Sequence, residues 1–283
     1  MDVVSRREES ELGAWTQLTC RPSALAGLVE SIWLFDGRLS RRERYYPTGE
    51  LDLIVRLDEP SAPFRVVEGQ PAAACPPVSL TGLLVAPLVI ETPATRSRLL
   101  GVRLRPAGAL ALFGLPQQEL TGAAVDLHDV IGGGETRRLT ERLAAAGSDE
   151  ARLRLVQRWI VDRLGDGPRT DPSVAYAVAE IERTGGTTPI AGLIDRVGAS
   201  PKRFATAFEH QVGVKPKLFS RIVRFRRLAA ALPGTEESLS QTALAYGYYD
   251  HSHMNADFRE FAGVSPRSFL AATPFPESSS LTD

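Results

Sequence analysis

Few of the residues that give a chemistry away are present in this sequence. Of 283 residues only two are cysteine, Cys20 and Cys75, and only four are histidine. Two cysteines so far apart make neither a disulfide framework nor, by themselves, a zinc site. No apolar run approaches the roughly 18 residues of a membrane helix, and the best, Gly82 to Ile90, contains a proline. The opening stretch, MDVVSRREESE, is charged where a secretion signal needs an apolar segment. Catalytic signatures are missing as well: there is no G-x-S-x-G elbow, Walker A loop, G-x-G-x-x-G after a strand, or H-E-x-x-H. Gly132-Gly133-Gly134 lacks the following lysine of a phosphate cradle and reads as a loop. These absences point to a cytoplasmic protein that is not an enzyme and uses neither cofactor nor metal.

Neither sign of charge dominates, since 33 Lys/Arg against 34 Asp/Glu leaves a net charge of −1. The average conceals a pattern. We place a domain boundary at Gly167, giving residues 1–167 and 168–283, because Gly165-Asp166-Gly167-Pro168 ends a helical stretch. The first part holds 20 Lys/Arg and 22 Asp/Glu, the second 13 and 12. Within the second, Lys202 to Arg227 carries eight cations against the single acid Glu209, a net of +7 over 26 residues. Such a run is either a solvated helix face or a nucleic-acid patch.

An internal repeat favours the second reading. Gly198 aligns with Gly247 at an offset of 49, and one extra residue then shifts the offset to 50. From there Ser200 pairs with Asp250, Phe204 with Met254, Phe208 with Phe258, Gly213-Val214 with Gly263-Val264, Pro216 with Pro266 and Phe219 with Phe269. The matched positions are turn glycines, helix caps and apolar anchors. Each copy reads as helix, tight turn, helix. In the first, Thr188 caps a helix with Pro189 at its first position, and Ser200 caps the next with Pro201 at its first. In the second, Leu239 to Tyr246 precedes Gly247, Asp250 is the cap, and Met254, Phe258 and Phe261 form the inward stripe. A basic helix, Leu218 to Leu232, joins the copies.

The stretch GYYDHSHMNADFREFAGVSP, Gly247 to Pro266, resembles the signature of the AraC family of bacterial transcription regulators. Arg224 to Ala231 is similar to the long connecting helix of that family, and the resemblance covers about Asp171 to Ala272. It implies sequence-specific DNA binding that regulates transcription, with double-stranded DNA as partner. A small-molecule effector, a homodimer and RNA polymerase are the further partners it brings. Family members commonly carry an arginine where this chain has Thr206 and Ala256, and Asp257 puts a negative charge beside the second of these. That departure motivates an alternative, a degenerate module that binds a protein partner or binds DNA without reading it.

Helix geometry selects the residues that face DNA. With Phe204 and Phe208 inward, Lys202, Arg203 and Thr206 lie on the exposed N-terminal part of the first recognition helix, the end that enters the major groove. By the same reasoning the second offers His251, Ser252 and Asn255, of which Asn255 suits adenine. Lys215, Lys217, Arg221 and Arg224 read as phosphate contacts. His251 and His253 are two apart and do not share a helix face, which argues against a metal pair.

The N-terminal half reads as strands followed by helices, making the whole chain α+β. Leu51, Leu53, Val55 and Leu57 alternate with polar positions. Further strands are expected at Ser31–Phe35, Phe64–Val67, Leu83–Ile90 and Arg98–Leu104, and helices at Ala109–Phe113, Pro116–Leu120, Glu135–Ala145 and Asp149–Leu164. The last two pack on the strands or form a dimer contact. YYPTGELDLIVRL and LLGVRLRPAGALALFGLPQQEL resemble the N-terminal domains of a poorly characterised AraC subgroup, which implies a cupin-like β-barrel acting as sensor or oligomerisation domain. Composition argues against a metal-dependent cupin, because His128 is the only histidine before residue 200 and such sites need several. Candidate effector-pocket residues are Trp33, Tyr46, Glu50, Asp52, Arg103 and Arg105.

Overall fold

Residues 2–10, 13–38, 42–58, 64–68, 73–93, 95–165, 170–235, 238–271, 273–274 and 280–282 are described in the structure, a computed structural model. The expected boundary at Gly167 lies outside these residues. The strands are β1 (Val3–Ser10), β2 (Gly13–Cys20), β3 (Val29–Gly37), β4 (Arg42–Tyr45), β5 (Leu51–Arg56), β6 (Arg65–Glu68), β7 (Ala73–Ala74), β8 (Val78–Thr81), β9 (Leu88–Glu91), β10 (Ser97–Leu104) and β11 (Ala124–Asp126), with β12 (Thr273–Pro274) and β13 (Ser280–Thr282) near the end. They form two antiparallel sheets, β1-β2-β3-β10-β5-β8-β11 and β12-β13-β4-β9-β6-β7. The helices are α1 (Pro106–Phe113), α2 (Leu127–Ile131), α3 (Gly133–Ala145), α4 (Asp149–Leu164), α5 (Pro172–Arg183), α6 (Ile190–Val197), α7 (Pro201–Val212), α8 (Pro216–Ala231), α9 (Leu239–Ala245), α10 (His251–Phe261) and α11 (Pro266–Ala271). The chain is α+β, sheets first and helices after.

Alternation along β5 does what the sequence pattern asks. Leu51, Leu53 and Val55 are buried in the core, while Asp52, Ile54 and Arg56 face the other side. Register then fixes their neighbours. Asp52, Ile54 and Arg56 lie opposite Arg103, Gly101 and Leu99 of β10, which lie opposite Ser31, Trp33 and Phe35 of β3. These residues form one wall of a cavity of about 270 Å³, and Glu43, Tyr45, Val66, Leu88 and Ile90 of the second sheet form the facing wall. Gly101 has to be glycine for this wall to close: a Cβ there would sit 2.1 Å from the Trp33 indole, which lies over the β10 backbone.

Some expectations shift. The strand expected at Leu83–Ile90 forms only at its end, as β9; the residues before it are a loop holding Pro87, which has no N–H to give a ladder. Pro116–Leu120 is only a short 3₁₀ turn, Gln117–Glu119, and Gly133 and Gly134 open α3 instead of lying in a loop. Along α4, Leu153, Val156 and Ile160 are fully buried in the chain's own core, next to β3, α1 and α3, so a dimer contact cannot use this stripe.

One core runs through both halves, and a smaller cluster of Trp15, Phe35, Phe64 and Leu99 stands apart from it. The Tyr46 ring stands edge-on to Phe225 of α8 at 5.7 Å and packs on Phe269 of α11 at 5.6 Å. Glu50 takes a hydrogen bond from Arg226 of α8 at 3.2 Å, and Arg105 pairs with Glu182 of α5 at 3.3 Å. Thr121 donates to the Gly213 carbonyl at 2.7 Å. After α11 the chain returns to the first half, where β13 pairs with β4, Ser280 opposite Tyr45. Among the described residues no helix is long and apolar enough to cross a membrane, and no group of three His, Cys, Asp or Glu is arranged to hold a metal.

Candidate nucleic-acid interface and its attached cavity

Both repeat copies have the expected local geometry. Gly198 and Gly247 take φ of +65° and +79°, the left-handed turn that lets two helices meet at a sharp angle. Ser200 accepts from the Arg203 N–H at 3.4 Å, and Asp250 accepts from the His253 N–H at 2.7 Å, each capping its recognition helix. Thr188 does not cap α6: Pro189 holds that position, and the Thr188 hydroxyl is bonded to Thr184 instead. On α7, Phe204 and Phe208 are buried, with Phe208 edge-on to Phe219 at 5.8 Å. On α10, Met254, Phe258 and Phe261 are buried, and Phe225 of α8 meets Phe258 and Phe261 at 5.0 and 5.4 Å.

What the two recognition helices present outward differs. Lys202, Arg203 and Thr206 are exposed on α7 and line a shallow depression with Ser200, Ala207 and His210. Lys215 and Lys217 are exposed at the start of α8. On α10, Ser252 and Ala256 are exposed and His251 and Asn255 half-buried, the Asn255 amide lying 3.2 Å from His251 Nδ1. His253 is half-buried, edge-on to Tyr248 at 5.1 Å, which makes it a packing residue.

Arg221 and Arg224 depart from their expected role as phosphate contacts. Arg221 donates to Asp257 at 2.7 Å and pairs with Glu260, and its guanidinium lies 5.0 Å from the Phe261 ring centre. Arg224 donates to the Gly186 carbonyl at 3.1 Å and lies 5.3 Å over Tyr248. Both guanidinium groups are already engaged, and both tie α8 to its neighbours. The bond to Glu260, with Asp257 beside it, raises the Arg221 pKa against the opposing effect of burial. Burial, and then the Asp257 charge, push the Tyr248 phenol well above its ordinary value. Asp257 itself is 1% exposed, so it is no negative charge facing a phosphate. Arg226 and Arg227 are likewise engaged, the first with Glu50 and Glu182, the second 5.9 Å from the Tyr246 ring centre.

The basic run therefore divides largely by residue type. Arg221, Arg224 and Arg226 of α8 are half-buried and brace the fold, and its exposed cations are Lys202, Arg203, Lys215, Lys217 and Arg227, the last lying beside the Tyr246 ring. The three lysines among these are the only lysines in the chain. That division was readable in the sequence and is the signal that charge counting missed. Arginine's planar fork suits stacking and bidentate pairing, while lysine is a hydrated point charge that stays at the surface.

In the first half, Trp33, Tyr46, Glu50, Asp52 and Arg103 all line the cavity. Arg105 does not: its guanidinium is held between Glu30 and Glu182, bridging β10 to α5. Arg103 donates to Asp52 at 3.0 Å and lies 3.7 Å from Glu50. Burial opposes its charge, but Asp52 and Glu50 outweigh that and hold its pKa up. Burial raises the Glu50 carboxyl, with Arg103 and Arg226 pulling the other way. Glu50 thus connects the cavity wall to α8. Arg56, Glu43, Tyr45 and Phe64 also line the cavity and were not among the expected residues. Arg56 was legible as the third outward position of the β5 alternation.

Residues 193–272 match a family model described as a helix-turn-helix domain, and residues 19–126 match one described as a domain of unknown function, DUF6597. No curated protein matches the chain. Among solved structures, the C-terminal domain of AraT, a response regulator from Geobacillus stearothermophilus, is 20% identical, with 39% of this chain and 93% of that one covered, at a TM-score of 0.35. ToxT from Vibrio cholerae is 10% identical over 85% of this chain and 97% of its own, at a TM-score of 0.48.

Proposed function

From the premise that residues 193–272 are an AraC-type helix–turn–helix domain, we propose that the chain is a sequence-specific DNA-binding transcription regulator whose first recognition helix does most of the reading. The observation that carries this is the exposed face of α7, where Lys202, Arg203 and Thr206 stand clear of internal partners at the groove-entering end. Lys202 and Arg203 suit the guanine edge, and the Thr206 methyl suits thymine. Lys215 and Lys217, at the N-terminus of α8, serve as phosphate contacts that set register. The second unit offers Ser252, His251 and Asn255, short or internally engaged groups that add support and modest preference.

The reading extends to control. The cavity between the sheets takes a small-molecule effector, and Glu50 and Tyr46 pass its occupancy to α8. With Asp257 internal, the degenerate-module alternative loses one of its grounds and keeps only Thr206 and Ala256.

Selection of the purified full chain against a pool of random duplexes at two salt concentrations tests this reading. The expected result is an enriched motif with most of its information in one major groove. Retention should fall steeply with salt, by a log–log slope of about 0.9 per phosphate contacted. Salt-sensitive retention without any motif would establish non-specific binding instead.

A further inference from the structure

Ion pairs tie the cavity to the helices of the second half in one chain of seven residues. Asp52 holds Arg103 at 3.0 Å, Arg103 lies 3.7 Å from Glu50, and Glu50 accepts from Arg226 of α8 at 3.2 Å. Arg226 lies 3.7 Å from Glu182 of α5, Glu182 pairs with Arg105 at 3.3 Å, and Arg105 closes on Glu30. Both ends return to the cavity, whose lining includes Glu30, Glu50, Asp52 and Arg103. Four carboxylates thus share three guanidinium groups, and among the described residues no further cation pairs with them. The chain is one positive charge short.

The deficit meets the cavity at Glu50. Its side chain is only 10% exposed, Oε1 is taken by Arg226, and Oε2 accepts no hydrogen bond among the described residues. Arg103 Nε stands 3.7 Å from Oε2 and is turned to Asp52 instead. Burial raises the Glu50 carboxyl even with Arg103 and Arg226 beside it, as befits a charge only partly offset. A buried carboxylate oxygen without a donor is costly, and a cationic N–H makes the stronger kind of bond to it. The other cations on the lining do not oppose one at this end. Asp52 and Glu50 outnumber Arg103, Arg21 is exposed to solvent, and Arg56 stands six residues along the strand, about 20 Å away. From Glu50 the floor passes Asp52 to Ile54 and Trp33, and then Leu99. An apolar cavity of about 150 Å³ holds one benzene ring, and this one measures about 270 Å³. The space suits a ring with a side chain, two fused rings, or a short aliphatic chain.

Resting on the effector reading above, we infer that the cavity binds a compact apolar amine in its protonated form, the ammonium donating to Glu50 Oε2 and the body lying against Ile54 and Trp33. The ligand supplies the positive charge that the ion-pair chain lacks. Because it takes Oε2, Arg226 keeps Oε1, and the ligand and α8 grip the same carboxylate.

Calorimetric titration of the full chain with tryptamine, 2-phenylethylamine and hexylamine, beside the matching alcohols and carboxylates, tests this. At least one amine is expected to bind, about tenfold or more tightly than its alcohol, with its carboxylate weaker still. Glu50→Gln keeps the size and an acceptor oxygen, and should cut the amine's advantage over the alcohol to about twofold or less. Arg226→Met leaves Glu50 without its outer counter-charge, and should tighten amine binding by about twofold or more. The two variants both break the bond to α8, so a Glu50 that merely braced α8 would shift amine binding the same way in each. Opposite signs are the mark of a ligand anchor, and Arg226→Met alone carries the test if Glu50→Gln does not fold. Alcohols or carboxylates binding as well as the amines would overturn the assignment while leaving the cavity as an effector site. Amine binding unchanged or weakened by Arg226→Met would do the same. Binding by none of the probes would overturn the amine assignment, and if wild-type DNA binding also proved indifferent to a broad metabolite mixture, the effector reading would fall with it.

Discussion

The two helix–turn–helix units share turn glycines, caps and aromatic anchors, yet they are braced differently and present different outward faces. The first is fixed from behind by neutral contacts: Thr121 donates to the Gly213 carbonyl at 2.7 Å, and the Gln211 side chain accepts from the Asp171 N–H at 2.7 Å. Its outward face keeps free cations. The second is fixed by charge, with Arg221 on Asp257 and Arg224 over Tyr248, and the N-terminal part of its outward face keeps small neutral groups, Ser252 and Ala256. The repeat conserves what shapes the backbone and lets the outward residues differ. An acid in a recognition helix repels DNA only if it faces DNA, and Asp257 faces α8.

The contrast can be broken most forcefully at α7. Lys202→Ala with Arg203→Ala is expected to remove about 3 kcal/mol of specific binding, on the order of 150-fold, and to flatten the enriched motif. A retained motif would move base reading to the second unit. Next in size is Asp257→Ala, which leaves Arg221 without its buried partner. Because Arg221 is 27% exposed, we expect about 2 kcal/mol of lost stability, less than for a fully buried pair, measured by urea unfolding. The motif should survive. Loss of the motif without loss of stability would mean that Asp257 takes part in reading. Smaller again is Lys217→Ala, expected to weaken every duplex alike by about 1 kcal/mol and to lower the salt slope by about one. A sequence-dependent loss would reassign Lys217 to base contact.

Legibility followed the same division. The Ser200 and Asp250 caps, the turn glycines and the Phe204/Phe208 and Met254/Phe258/Phe261 stripes were readable because each is a local demand of backbone geometry or helix period. The β5 alternation was readable for the same reason: it set Leu51, Leu53 and Val55 apart from Asp52, Ile54 and Arg56, which lie on the cavity lining. The partners of the arginines were not readable. Arg221 meets Asp257 across 36 residues and Arg226 meets Glu50 across 176, and no local pattern encodes such pairs. Arg105 was misplaced on similar grounds: it follows the last cavity-facing position of β10, beyond the register shift between Arg103 and Leu104, and turns toward α5. The β1–β2 hairpin escaped notice because β1, VVSRREES, is polar throughout most of its length, and pairing rather than burial makes it a strand.

The finest test is Asn255. In an unconstrained recognition helix this residue would be the obvious adenine reader, worth about 1–3 kcal/mol as a bidentate contact. Here its amide is engaged with His251 one turn back and its side chain is half-buried. Reaching a base would cost that internal bond, so the net gain is small. Asn255→Ala is therefore expected to change affinity for the selected duplex by no more than about 0.5 kcal/mol, roughly twofold, within the range of a surface substitution. Competition binding against duplexes varied at each adenine of the motif measures this directly. A tenfold loss confined to one adenine would show that the His251 bond opens on DNA, and the two units would then be closer to equal readers than their free surfaces imply.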